Sequence, residues 1–197
     1  LLDHLNIPQA AILGTSRGGL IAMGLAATHK DRLLGICLND IGPVIDPAGM
    51  QDIAAFLGRP PAQKTWDAAA LVRHETLPGF ADVPMERWQQ EVRRHFVETS
   101  DGLAITYDPK LRQAVLGDQD TAPDLPDMWP FFDACAGLPL ALIRGVNSNL
   151  LSHETALEMA RRVPDMIWAE VPDRGHVPFL DEPASVAALT QWLKALT

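Results

Sequence analysis

The stretch Ala10-Ala11-Ile12-Leu13-Gly14-Thr15-Ser16-Arg17-Gly18-Gly19 decides how the rest of the chain is read. Residues 10–14 are a short apolar run ending at glycine, the pattern of a buried parallel strand. Residues 15–19 form a turn, and Leu20 to Thr28 continue as a helix that is apolar almost all round, hence buried on several sides. Gly14-Thr15-Ser16-Arg17-Gly18 therefore fits a Gly-x-Ser-x-Gly elbow with strand before and helix after. A strand-to-helix turn this sharp asks for glycine two residues either side of the serine, where side chains would collide with neighbouring elements. It raises Ser16 above the sheet and turns the Arg17 N–H toward a developing oxyanion.

Working outward, Leu33 to Leu38 reads as a second strand ending at Asn39-Asp40, so the opening is a βαβ unit. From Pro43 to Gly137 the regularity breaks at Pro60-Pro61, Leu77-Pro78-Gly79, Asp108-Pro109 and the Pro-rich stretch 123–130. Helical pieces are expected at 65–75 and 84–98, and most of the aromatics fall here. The α/β pattern returns with a strand at 139–144, a helix capped by Ser152 and running to about Val163, a strand at 166–171, and a last helix opened by Pro183. That helix carries Val186, Leu189, Leu193 and Leu196 on one face. Three parts follow: core residues 1–42, an inserted helical lid 43–137, and core residues 138–197.

Composition removes several functions. The chain has 197 residues and a formal net charge of -9, which argues against nucleic acid or anionic membrane as partner and leaves a small-molecule substrate. The longest nearly pure apolar run, 18–27, is about half of a bilayer span. With two cysteines, Cys37 and Cys135, no disulfide scaffold is expected. A dinucleotide loop fails because the third glycine position is Leu20 and Tyr107-Asp108-Pro109-Lys110 has the wrong spacing; Gly-x-Gly-x-x-Gly fails at Ser16. No lysine follows the loop as a phosphate-binding loop requires. Histidine spacing offers no metal site, and no cofactor is expected.

A serine nucleophile needs a base, and Asp173-Arg174-Gly175-His176-Val177-Pro178-Phe179 follows the last core strand. A histidine there can hang over the C-terminal edge of the sheet, where ligands bind in open α/β folds. His29, His74, His95, His153 and His4 sit at helix ends, in the insertion or at the start, and read as structural.

With these residues in place, the chain resembles the α/β-hydrolase superfamily over nearly its whole length. The elbow 14–19, Leu38-Asn39-Asp40-Ile41-Gly42-Pro43, Arg144-Gly145 with Ser148-x-Leu150-Leu151-Ser152, and Gly175-His176-x-Pro178-x-Leu180-x-Glu182-Pro183 resemble a bacterial, lid-bearing subgroup of serine hydrolases. The resemblance implies Ser16 as nucleophile, His176 as general base, Arg17 as oxyanion donor, and residues 43–137 as a lid over an acyl pocket. Trp66, Trp88, Trp129 and Phe131 are candidate substrate contacts there. It further implies cleavage of an ester, lactone or activated C–C bond of a small apolar or aromatic acyl compound. Acyl transfer or perhydrolysis would reuse the same residues.

Two departures qualify the resemblance. Where the subgroup carries its acid, this chain has Asn149, which cannot stabilise an imidazolium by charge. Either Asp40, at the end of the preceding strand, is the acid, or Asn149 keeps the geometry in a slow or altered enzyme, or the chain binds without catalysis. The earlier strands and a His-Gly-rich loop supplying a second oxyanion donor are absent. Leu1-Leu2-Asp3-His4 reads as the interior of an amphipathic helix, and the chain as the C-terminal part of a longer one. On that reading strand 10–14 becomes an exposed apolar edge and the chain alone is poorly soluble or inactive. A cytoplasmic location is the expectation.

Overall fold

The structure is a computed structural model that describes residues 1–117 and 126–196. The chain divides into two compact units, one of residues 1–46 and 125–197 and the other of 47–124. Strand β1 (Ala10–Thr15) leads into helix α1 (Arg17–Thr28), and a short 3-10 turn returns the chain to β2 (Leu33–Asn39). The intervening unit carries α2 (Pro47–Phe56), α3 (Trp66–Thr76), α4 (Met85–His95), β3 (Phe96–Thr99), β4 (Gly102–Ile105) and α5 (Leu111–Leu116). The first unit resumes with α6 (Trp129–Asp133), β5 (Leu140–Gly145), α7 (His153–Arg162), β6 (Ile167–Val171) and α8 (Pro183–Ala195). Of the Pro-rich stretch, residues 123–125 lie outside the described residues.

The four long strands form a parallel sheet in the order β1-β2-β5-β6. Strand alternation divides their side chains between two layers. Cys37, Ala141, Ile143 and Val171 pack against Ala188 and Trp192 of α8. Leu38 points the other way, toward α1, where it approaches Gly19. Because β2 and β5 are buried on both faces, they read as continuous apolar runs rather than alternating ones. Ser152 caps α7 as expected, accepting the Thr155 N–H at 3.0 Å.

Three local expectations give way. Residues 2–6 form turns rather than a helix, closed by Leu5 N–H to Leu1 O and Ile7 N–H to Leu2 O. The helix placed at 84–98 stops at His95, and the insertion carries a β-hairpin, β3 paired antiparallel with β4. Ser100-Asp101 supplies its turn between the paired Thr99 and Gly102, and Gly102 stands at φ +124°, a conformation that costs glycine little. Ile21 of α1 is exposed, so that helix is buried on fewer sides than its composition suggests. On α8, Val186 and Leu193 face solvent while Ser185, Ala188 and Trp192 are buried. Small residues let the helix lie close to the sheet, and Trp192 fills the remaining gap with its Nε1–H donating to Pro139 O at 3.0 Å.

Helix α6 lies inside the stretch read as an insertion, yet it falls within the sheet unit and packs on α1. No helix among the described residues is long and apolar enough to cross a membrane.

Candidate active site

Ser16 sits between β1 and α1 at φ +50°, a backbone conformation unusual for a residue with a side chain. The turn is pinned by Ser16 N–H to Asn39 O at 3.1 Å and by Gly19 N–H to Ser16 O at 2.8 Å. The glycines divide the work differently from the expectation. A Cβ on Gly14 would stand 2.6 Å from Gly19 N and 2.7 Å from Gly18 O. One on Gly19 would overlap Ile41 Cγ2, whereas Gly18 has open space around it. The crowded pair is Gly14 and Gly19, because Gly19, the third residue of α1, lies against the Gly14 backbone and the Leu38 and Ile41 side chains.

His176 stands on the loop after β6, and both ring nitrogens are engaged. Nε2 lies 3.0 Å from Ser16 Oγ, and Nδ1 lies 2.7 Å from Asp40 Oδ2. A carboxylate can only accept, so Nδ1 carries the proton and Nε2 is left to accept from the serine hydroxyl. The imidazole is 12% exposed and the Asp40 side chain fully buried. The loop is seated against Gly145, where a Cβ would overlap Arg174 O and stand 2.6 Å from Gly175 O. Asn147 N–H donates to Arg174 O at 2.9 Å from the same edge.

Of the two positions offered for the orienting acid, Asp40 brings its carboxylate to the ring, at Nδ1. Asp40 ends β2 at φ +55°, a left-handed turn that aspartate tolerates, and this turns its carboxylate toward the His176 loop. Oδ1 accepts the Gly145 N–H at 2.9 Å, and Oδ2 accepts the Ser148 hydroxyl at 2.7 Å as well as the His176 proton. Three donors offset the cost of burying the charge. Ser148 thus brings the 148–152 segment to Asp40, and its Oγ also accepts the Leu150 and Leu151 N–H groups at 3.2 Å each.

Sequence reasoning missed three supporting residues. Ser148 was visible only as part of a motif. Asn39 donates through Nδ2 to Thr15 Oγ1 and to Pro178 O, both at 3.2 Å, and no signal beyond its place at a strand end pointed to it. Glu182 accepts from Arg174 Nε, Phe179 N, Leu180 N and Ser185 Oγ; an acid directly before a helix-opening proline was its available signal. Arg17 begins α1, so its N–H has no acceptor one turn back within the helix.

The four aromatic candidates are divided between the two units. Trp66 and Trp88 belong to the unit 47–124, and Trp129 and Phe131 to the sheet unit. Trp88 is a core residue, edge-on to Phe80, and Arg93 covers Trp66 at 4.2 Å. Arg162 covers Trp129 at 4.0 Å. Both cysteines are buried and unpaired, and burial pushes each thiol up to about 12. Among the described residues no three His, Cys, Asp or Glu side chains are grouped to hold a metal.

Residues 1–189 match the profile of the alpha/beta hydrolase family. The chain is 34% identical over 200 residues to a 3-hydroxybutyrate-oligomer hydrolase of Cupriavidus necator, covering 98% of this chain and 67% of that protein. It is 27% identical over 203 residues to a pimeloyl-(acyl-carrier protein) methyl ester esterase of Aromatoleum aromaticum, 93% of this chain and 73% of the other. An alpha/beta hydrolase structure from Novosphingobium aromaticivorans superposes with a TM-score of 0.88 at 35% identity, over 98% of this chain and 68% of that one.

Proposed function

The chain belongs to the alpha/beta hydrolase family and is an ester-type hydrolase, and from that premise we propose that Ser16 is its nucleophile, His176 its general base and Asp40 the acid that orients the base. The carrying observation is the unbroken line from Ser16 Oγ through both His176 nitrogens to Asp40 Oδ2, at 3.0 and 2.7 Å. Ser16 Oγ attacks the ester carbonyl while Nε2 takes its proton. The oxyanion forms at the start of α1, where the Arg17 N–H and the positive end of the helix stabilise it. The imidazolium, held by the Asp40 carboxylate, returns the proton to the departing alkoxide. Water, deprotonated by the same nitrogen, then releases the acid and restores Ser16. For the substrate we take an ester of a short hydroxy acid, following the 34% identical relative that acts on 3-hydroxybutyrate oligomers.

A fluorophosphonate should label Ser16 covalently, and Ser16→Ala should abolish the labelling. Turnover of the 3-hydroxybutyrate dimer, followed by proton release, should fall by about 10⁴ in Asp40→Asn, as expected when a buried acid no longer fixes the imidazole. Asn149→Asp should leave it within about twofold. A rise with Asn149→Asp together with an indifferent Asp40→Asn would place the acid on the other loop.

A further inference from the structure

The unit 47–124 contains a cavity of about 320 Å³, bounded by residues of α2, of the loop that follows it, of α3 and of the start of β3. Phe56, Pro60 and Phe96 give it apolar walls, and Arg73, His95 and Tyr107 bring polar groups to it. The Arg73 guanidinium carbon lies 5.9 Å from the Phe56 ring centre and 5.7 Å from that of Phe96, within reach of cation–π attraction to both. Among the described residues no oxygen accepts a hydrogen bond from it. Glu91, the acid that acts on it through space, is itself bound to Arg87 at 3.1 Å and Arg94 at 2.8 Å. The Tyr107 hydroxyl accepts the Gly58 N–H at 3.1 Å, and its own proton has no acceptor among the described residues.

A guanidinium drawn out of water needs its donors satisfied, and two aromatic faces do not accept five N–H groups. Arg73 is partly buried, and that burial pushes its pKa down, opposed by Glu91 and Tyr107. The fork of donors matches a carboxylate, and the surrounding walls match a hydrocarbon body. The volume falls at the small end of ligand cavities.

We propose that this cavity binds a small carboxylate with an apolar body, its carboxylate paired with Arg73 and hydrogen-bonded by the Tyr107 hydroxyl. Arg59 also lines the cavity but has an interaction of its own, so apolar walls around the Arg73 guanidinium suit a small carboxylate with a hydrocarbon body. The site stands apart from the role assigned to Ser16. Short carboxylic acids are also what ester cleavage releases, so the product class has the chemistry to enter it.

Calorimetric titration of hexanoate into the whole chain carrying Ser16→Ala tests this without any turnover. One hexanoate should bind per chain, half-saturating at roughly millimolar concentration for so small a ligand. Hexanamide, equal in shape and uncharged, should bind at least about tenfold more weakly, as should hexanoate to Arg73→Met. Arg73→Lys should retain part of the affinity and Tyr107→Phe should lose a few-fold; these two carry the test if Arg73→Met does not fold. No binding of hexanoate, equal binding of hexanamide, or binding indifferent to Arg73→Met in a folded chain overturns the proposal.

Discussion

At the scale of single residues, Asn39 joins the two halves of the site. Its carbonyl accepts the Ser16 N–H at 3.1 Å, and its Nδ2 donates to Thr15 Oγ1 and to Pro178 O, two residues after His176. The same side chain leaves Oδ1 buried without a partner. An amide held in place despite an unsatisfied acceptor is better explained by position than by stability. Asn39→Ala removes two hydrogen bonds and one unsatisfied atom together, so its net effect on unfolding should be modest, about 1 kcal/mol. Turnover should fall more, roughly tenfold, because the side-chain link from Thr15 beside the elbow to Pro178 of the His176 loop is then lost. A fall in kcat with little change in KM marks positioning; an unfolding loss of several kcal/mol with kcat intact would mark Asn39 as merely structural. Neither the Asn39 side-chain bonds nor the meeting of Asp40 with the His176 ring was legible in the sequence. The second goes with a backbone turned to φ +55° at Asp40 and joins residues 136 apart in the chain.

At the scale of elements, the loop carrying His176 is closed by Glu182 at the head of α8. Its carboxylate accepts Phe179 N–H at 2.9 Å, Leu180 N–H at 3.0 Å and Ser185 Oγ–H at 2.8 Å, and pairs with Arg174 Nε at 3.0 Å. Leu180 stands at φ +72°, strained for a residue of its size, and its amide is one of those held. Burial raises the Glu182 pKa, but the amide, hydroxyl and Arg174 bonds outweigh it and hold the carboxyl below its ordinary value. A carboxyl lowered in the folded state stabilises fully above its unfolded value of about 4.3, and that contribution is lost as pH falls through the folded value. Glu182→Gln should therefore lower stability by about 2 kcal/mol at neutral pH, the gap from wild type closing as pH drops below about 4. Thermal unfolding across that range measures it; a gap that stays constant in acid would separate Glu182 from any titrating role. The elements themselves were largely readable, since β1, α1, β2, β5, α7 and β6 each have an apolar run or a cap to mark them. The buried face of α8 was not. Periodicity in leucine and valine selects Val186 and Leu193, whereas close approach to the sheet selects Ser185 and Ala188, whose virtue is small size. The β3–β4 hairpin was missed because residues 84–95 form a helix whose pattern continues smoothly into Phe96 and Val97.

At the scale of the whole molecule, the sheet has two edge strands among the described residues, β1 and β6, and the edge at β1 carries an exposed leucine. β1 pairs with β2 alone, and Leu13 on it is 42% exposed. Leu5, Ile7 and Ile21 are exposed apolar residues of the same unit. An apolar edge offers both backbone groups and side chains to another copy, and is a common route to self-association. The net charge of -9 opposes that route by repulsion between chains. The two tendencies respond oppositely to salt, because screening weakens the repulsion and leaves apolar contact intact. Association measured by sedimentation should therefore increase as ionic strength rises from about 0.01 M to about 0.5 M. Leu13→Lys should suppress it at every ionic strength, although it lowers the magnitude of the net charge by one. A charge on the edge itself must be desolvated before another strand can pair, and at an exposed position the substitution costs little packing. Association that falls with salt, or that ignores Leu13→Lys, would mean that the chains meet through charge or through some other face.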